Sequence, residues 1–294
     1  MNTEQLNLPV DTITPLHKNS SNFYKKSLLE FEITSENNSD NILFPVKNKH
    51  LVIFDFDQTI IEGESFFEMT KLLPDWSEIE AKKLFEKKGN WFLFVEEIMH
   101  ILIEQKISAA QIKQELKKLK LTENFEDLLK YLFENSEKFE IHIISGTYDI
   151  FIKWILEHHG IQHYINEIHS EKAYVEDDFV RFIKPVEFIK CAVCLFCVCK
   201  AKTIKQIIKK AKVVFERWHY IGDGYNDICP ALMLNDNDFL YPRKNYQLYK
   251  KLYEENYKEK ISGQIISWEN GNCILKNFKE LFREKEEMQV KQNC

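Results

Sequence analysis

Two carboxylates and a hydroxyl stand close together in Leu51-Val-Ile-Phe-Asp55-Phe-Asp57-Gln-Thr59-Ile60. Leu51 to Phe54 form a short, continuously apolar run, which predicts a central strand of a parallel sheet buried on both faces. Asp55 and Asp57 then fall at the strand's C-terminal end, the edge at which open α/β sheets bind ligands. Two acidic groups so placed repel each other unless a cation separates them. A hard divalent ion such as Mg²⁺ meets that need, since it takes one or two carboxylates together with phosphate oxygens and water.

Three further segments carry comparable groups. Phe139 to Ile144 reads as a second buried strand, ending in Ser145-Gly146-Thr147 ahead of a helix from Tyr148 to about His159. That order predicts a turn whose hydroxyl and backbone N–H groups offer an anion site at a helix N-terminus. Lys200 and Lys202 open a helix that runs to about Ala211. Arg217 to Ile221 predicts a third strand, followed by Gly222-Asp223-Gly224-Tyr225-Asn226-Asp227. The glycines there permit close approach of backbone to ligand.

The rest of the chain must position these groups. At 294 residues, 44% hydrophobic and 13% aromatic, it has ample material for one large domain or two ordinary ones. Forty basic and 46 acidic residues give a net charge of −6 without long single-sign blocks, so no polycationic surface argues for nucleic acid or an anionic membrane. Apolar runs fall far short of the ~20 residues that span a bilayer. Seven cysteines, an odd number, point to reduced thiols, and the cytoplasm is the expected location. Residues 1–48 read as a disordered N-terminal extension.

Between Ser65 and Lys120, amphipathic stretches at Ile79 to Phe85, Trp91 to Ile103 and Ile107 to Leu119 predict an all-helical insert, with Ser108 capping the third helix. Gly63 is expected at the bend that leads into it. Phe66, Phe67, Trp91 and Phe94 are expected to pack the insert's core. Beyond it, Ala173 to Lys184 predicts a hairpin, Phe239 to Tyr241 and Gln264 to Trp268 further strands, and Tyr246 to Lys258 and Ile274 to Glu287 helices. Cys191, Cys194, Cys197 and Cys199 place four thiols in one run, but its Cys-x-x-Cys spacings overlap at Cys194 and no second, separate pair stands at a loop's distance, so buried thiols are the expectation. His158, His159, His163 and His169 are expected to be surface or core histidines, because Gly160 breaks the helix that would align the first three.

Taken together, Asp55/Asp57/Thr59, Ser145, Lys200 and Asp223/Asp227 closely resemble the four motifs of the haloacid dehalogenase-like (HAD) phosphatases. Over roughly Leu51 to Leu281 the likeness narrows to the phosphoethanolamine/phosphocholine and pyridoxal phosphate phosphatase branch. The blocks that carry it are the cysteine run before Lys200, Tyr-Ile-Gly222-Asp-Gly-x-Asn-Asp-Ile-Cys-Pro230, and Pro242-Arg243-Lys244 followed by Tyr246.

The resemblance implies a Rossmann-like parallel sheet flanked by helices over residues 49–64 and 121–290, with residues 65–120 as a helical cap in the superfamily's first cap position. It also implies a Mg²⁺-dependent phosphomonoester hydrolase of small phosphorylated metabolites that works through an aspartyl-phosphate, the alternatives being a phosphotransferase or phosphoprotein phosphatase on the same fold, or a non-catalytic binding protein. Asp55 would be the nucleophile and Asp57 the proton donor; Ser145, Gly146 and Lys200, with N–H groups near Phe56 and Asp57, would hold phosphate. Asp55, Asp57 (through its carbonyl) and Asp223 would hold the metal, and Thr59, Asn226 and Asp227 would support them. Lys202 is the rival for the lysine role. Relatives acting on cationic amino-alcohol phosphates place carboxylates where this chain has Phe66 and Gly146, so phosphocholine is not expected to be the best substrate.

Overall fold

The computed structural model describes residues 49–74, 77–88, 91–183, 191 and 199–292. The expected N-terminal extension, Cys194 and Cys197 therefore lie outside the described residues. In chain order the strands are β1 (Lys49–Phe54), β2 (Ile61–Glu62), β3 (Lys120–Leu121), β4 (Phe139–Tyr148), β5 (Glu167–Glu171), β6 (Ala173–Glu176), β7 (Phe179–Phe182), β8 (Phe215–Gly222), β9 (Phe239–Pro242) and β10 (Gln264–Ile265). The helices are α1 (Ser65–Thr70), α2 (Glu78–Lys88), α3 (Trp91–Glu104), α4 (Ala109–Leu116), α5 (Phe125–Glu134), α6 (Asp149–His158), α7 (Lys200–Lys210), α8 (Ile228–Ala231), α9 (Gln247–Glu254) and α10 (Gly271–Gln292).

Six strands form one sheet in the order β10-β9-β8-β1-β4-β5, every neighbouring pair parallel. β1 lies between β4 and β8, and its alternating side chains enter two different cores. Val52 and Phe54 pack with Phe125, Leu128, Leu132 and Phe278 from α5 and α10. Leu51 and Ile53 pack on the other face with Ile204, Ile228 and Leu248 from α7, α8 and α9. Helices on both faces explain why the run had to be apolar without alternation. The fold is the Rossmann-like α/β sheet that the sequence predicts.

α1 to α4 lie between β2 and β3, which pair antiparallel through Ile61 with Leu121 and Glu62 with Lys120. The chain therefore leaves the sheet and returns to it at one short ladder. Ser108 caps α4 by accepting from the Gln111 N–H, and the Gln111 side chain accepts from the Ser108 N–H in return. Phe66 and Phe94 are buried with ring centroids 5.5 Å apart, so they pack the insert's core as expected. The Trp91 side chain lies outside the described set. The β6–β7 hairpin, turned by Asp177 and Asp178 at φ 49° and 67°, meets the insert where the Ala109 N–H donates to the Asp178 carbonyl.

Several boundaries differ from expectation. β4 runs through Ser145-Gly146-Thr147 to Tyr148, where a turn was expected, and α6 starts only at Asp149. A register shift between Ile144 and Tyr148 in the β4–β5 pairing keeps this stretch irregular. The predicted strand Gln264 to Trp268 shortens to two residues plus an isolated Arg243–Trp268 bridge, and the helix predicted to Lys258 ends at Glu254 before a 3-10 turn at Tyr257–Lys260. Strand β5 was not predicted at all, because Glu-Ile-His-Ser-Glu has the polar composition of a sheet edge. No helix among the described residues is long and apolar enough to cross a membrane.

Candidate active site

β1, β4 and β8 end side by side, and the acidic, hydroxyl and ammonium groups meet beyond those ends. Lys200, the first residue of α7 and 1% exposed, places Nζ 2.6 Å from Asp55 Oδ2 and 2.6 Å from Asp227 Oδ1. Lys202 is exposed on the same helix and is thereby excluded from this cluster. One oxygen each from Asp55, Asp223 and Asp227 fall within 4.8 Å of one another, all three residues being buried.

Each carboxylate has its own support. Asp55 Oδ1 accepts the Phe56 N–H at 2.7 Å, so that N–H is not available to a phosphoryl group as the sequence reading had it. Asp223 Oδ1 accepts the Thr59 hydroxyl at 3.1 Å. Asp227 is surrounded by donors: Lys200, the Tyr220 hydroxyl at 2.5 Å, and the N–H groups of Asp223 and Gly224 at 3.1 and 2.9 Å. Gly222 is required for this, because a Cβ there would meet Asp227 Oδ2 at 2.5 Å. Asn226 makes no side-chain hydrogen bond to these carboxylates among the described residues; its Oδ1 packs beside Gly224, 2.8 Å from where a Cβ would stand.

Three groups that sequence reading missed complete the cluster. Ser65, at the start of α1, donates its N–H to Asp57 Oδ1 at 2.8 Å and its hydroxyl lies 3.0 Å from Asp57 Oδ2. The same hydroxyl is 2.7 Å from Thr147 Oγ1 on β4. Asp57 is thus tied at once to the insert and to the sheet. Glu64, the residue before α1, lies near enough to Asp57, Asp223 and Asp55 for their charges to act on its carboxyl. The chain reverses at Gly63, φ +105°, to bring both residues back over Asp57. Arg243 fixes the loop from outside, reaching the Gln58 carbonyl and Glu62 at 2.5 Å each while stacking on Tyr246 and Trp268. Its place in the Pro242-Arg243-Lys244 block was the signal that could have found it.

Ser145 is buried and its oxygen accepts the Thr147 N–H at 3.2 Å, while Gly146 beside it has open space where a Cβ would be. The expected anion site at a helix N-terminus is corrected by this geometry: Ser145 and Gly146 belong to the strand end, and the first helical residue, Asp149, is acidic. A ligand here meets strand-end backbone instead.

The electrostatics show a site short of positive charge. Burial, opposed by Lys200, raises the Asp55 pKa to about 7, and burial raises that of Asp57 to about 6 against the hydrogen bonds from Ser65. Asp223 is pushed well above the carboxylate range by burial, then by Asp55 and Asp227. Glu64 is raised in the same direction by burial and then by Asp57, Asp223 and Asp55. Burial alone would neutralise Lys200, but Asp227 and Asp55 outweigh it and hold the ammonium form. One ammonium among five carboxyl groups leaves a hard, oxygen-rich donor set, and a divalent cation fits it.

A family model described as "Putative Phosphatase" matches residues 50–282, which include every group above. The chain is 29% identical over 240 residues to a pyridoxal phosphate phosphatase of Mus musculus, covering 80% of this chain and 99% of that protein. It is 26% identical over 242 residues to a phosphoethanolamine/phosphocholine phosphatase of Gallus gallus, covering 81% of this chain and 90% of that protein. Among solved structures, a phospho-aspartyl intermediate analogue of phosphoserine phosphatase shares the fold, with a TM-score of 0.52 and 21% identity over 74% of this chain and 94% of that one. A six-stranded parallel sheet with its carboxylates gathered at the strand ends, and a family match across four-fifths of the sequence, lead to one assignment: the chain belongs to the Putative Phosphatase family.

Proposed function

We propose that the site hydrolyses phosphomonoesters of small soluble metabolites in two steps through an aspartyl-phosphate on Asp55. The observation that carries this reading is Lys200, buried and 2.6 Å from Asp55, at the point where Asp223 and Asp55 share one oxygen cluster. A carboxylate so held is oriented as a nucleophile, and the ammonium offsets charge on the phosphoryl oxygens.

In the first step an Asp55 oxygen attacks phosphorus and the ester P–O bond breaks. Asp57, held by Ser65, gives its proton to the leaving oxygen. In the second step Asp57 takes a proton from water as that water attacks the phosphoryl group on Asp55, releasing inorganic phosphate and restoring the Asp55 carboxylate and the protonated Asp57. Ser145, whose oxygen already accepts the Thr147 N–H, has its own proton to give to a phosphoryl oxygen, and Gly146 beside it leaves open space where a Cβ would stand. Asp55, Asp223 and the Asp57 carbonyl would hold the cation, which we take to be Mg²⁺ from the hardness of the donors. Bound there, it supplies the positive charge that keeps the carboxylates ionised and draws electron density from the phosphoryl group.

On this reading residues 65–120 are a cap over the core formed by 49–64 and 121–290, and residues 1–48 an extension of it. Closing the cap would exclude water from the first step, with Asp57 as the joint, because its carboxylate is bonded to the first residue of the insert. The substrate is a small phosphorylated metabolite and not nucleic acid or a membrane lipid, and the expected compartment is the cytoplasm.

Phosphate release from a panel of phosphorylated metabolites and phosphopeptides tests the proposal, with Asp55→Asn and chelator controls. Turnover of small metabolites lost in both controls is the expected result. Turnover that survives Asp55→Asn, or preference for phosphopeptides, overturns it.

A further inference from the structure

Three cysteines that phosphate hydrolysis does not use meet behind Lys200. Cys191 Sγ and Cys199 Sγ lie 3.5 and 3.6 Å from Cys229 Sγ, and all three sulfurs fall within 4.8 Å of one another. Cys199 and Cys229 are buried, Cys191 half-buried, with Ala201 and Met233 packed around them. The separations far exceed the ~2.05 Å of a disulfide. They come close to the edge of a tetrahedron instead: thiolates ~2.3 Å from a zinc ion stand about 3.7–3.8 Å apart.

The spacing within the cysteine run argued against a metal, because a second pair of ligands was missing. Cys229 supplies what the run lacks, and only the fold brings it there, from thirty residues beyond Cys199. Its place is informative. Cys199 is the N-cap of α7 and directly precedes Lys200, while Cys229 lies two residues after Asp227. The two thiols therefore sit at the two backbone segments that deliver the Lys200–Asp227 ion pair.

We propose that Cys191, Cys199 and Cys229 form a thiolate site for one zinc ion, which fastens the start of α7 to the Asp227 turn. On loading, the three thiols release their protons to solvent and three zinc–sulfur bonds form, with no change of oxidation state; one further coordination position is left for a fourth ligand. The ion is structural, since its three sulfur ligands include none of the carboxylates placed at the phosphoryl site, and it is distinct from the cation of the carboxylate cluster, whose donors are all oxygen.

Metal analysis of the full-length chain, purified under reducing conditions and dialysed against Mg²⁺, is expected to find about one zinc per chain. Replacing that zinc with cobalt is expected to give near-ultraviolet thiolate-to-cobalt charge-transfer bands, which oxygen ligands cannot produce. Competition with a chromophoric chelator should show Cys191→Ser and Cys229→Ser each weakening zinc binding at least ~100-fold, with zinc content unchanged in Asp223→Asn. Cobalt-loaded protein without the bands overturns the proposal. So does zinc retained equally by the two cysteine variants. The cobalt spectrum uses the unaltered chain, so a variant that fails to fold leaves the test intact.

Discussion

Lys200 and Asp227 face each other at 2.6 Å with their side chains 1% and 0% exposed, and neither has water to fall back on. Asp227 accepts from four donors, Lys200, Tyr220 and the backbone N–H groups of Asp223 and Gly224. An amide in its place must turn an NH₂ toward one of these donors and leaves the ammonium with Asp55 alone. Asp227→Asn is therefore expected to cost about 3–5 kcal/mol in urea unfolding, the range for breaking a buried pair from one side. Tyr220→Phe removes one of the four donors and nothing else, so about 1 kcal/mol is expected from it. Equal losses in the two variants would show that Asp227 holds the turn through the phenol and not through the ammonium.

Asp223 should behave in the opposite sense. Its carboxyl is buried against Asp55 and Asp227, which is why its pKa lies well above the ordinary range, and Thr59 is its one side-chain donor among the described residues. An asparagine side chain at this position would keep an acceptor for Thr59 and lose the repulsion. Asp223→Asn is expected to stabilise the metal-free protein by about 0.5–2 kcal/mol while abolishing turnover, the exchange typical of a strained functional site. Thermal unfolding with chelator and with Mg²⁺ measures both halves: Mg²⁺ should raise the Tm of the unaltered protein and leave that of the variant unmoved. A variant less stable than its parent in chelator would show that Asp223 is held by its hydrogen bond more than it is repelled.

How far the sequence could be read follows from where each signal is local. β1, β4 and β8 are legible because a strand buried on both faces must be apolar throughout, and the carboxylates stand out at their ends against that run. β5 carries no such mark: as an edge strand, His169 on it pairs with His142 across the sheet, and neither contact leaves a trace in sequence. Ser65, Glu64 and Thr147 were missed for a related reason. Ser65 and Glu64 come back over Asp57, and Thr147 reaches Ser65, only after the reversal at Gly63 and the irregular end of β4, which are properties of the folded loop. Cys229 joins Cys191 and Cys199 in the same way, through topology instead of spacing.

That histidine pair sets a pH dependence. His169 Nε2 lies 3.0 Å from His142 Nδ1, and its side chain is 19% exposed. Burial, opposed by Glu167 and aided by His142, lowers its pKa to about 4. The folded protein thus keeps His169 neutral while the unfolded chain takes up a proton near pH 6.5. Stability from this group is full above about pH 7 and falls as pH drops from 6.5 toward 4, by up to ~3 kcal/mol. Urea midpoints at pH 7.5 and 5.0 in the parent and in His169→Asn isolate the contribution, because the carboxylates with raised pKa values act equally in both. A parent that loses no more stability than the variant between the two pH values would show that His169 titrates normally.

Glu64 bears on the substrate. Its carboxyl lies near Asp57, Asp223 and Asp55, makes no side-chain hydrogen bond among the described residues, and is held well above its usual pKa by burial and then by those three neighbours. A metal ion answers the charge of the inner carboxylates; an ammonium on the substrate would answer that of Glu64, at the mouth beside the insert. Phe66 and Gly146, where amino-alcohol phosphatases place their carboxylates, offer no such partner. A primary ammonium can donate hydrogen bonds to Glu64 and a quaternary one cannot, so phosphocholine is again not expected to rank first. Glu64→Gln is expected to lower kcat/KM about tenfold, or ~1.4 kcal/mol, for phosphoesters bearing a primary ammonium, and to leave unchanged or improve that for esters with neutral tails. The ratio of the two values is the quantity to measure. If both fall together, Glu64 acts on the reaction common to all substrates and the recognition of a cationic tail must be sought elsewhere in the insert.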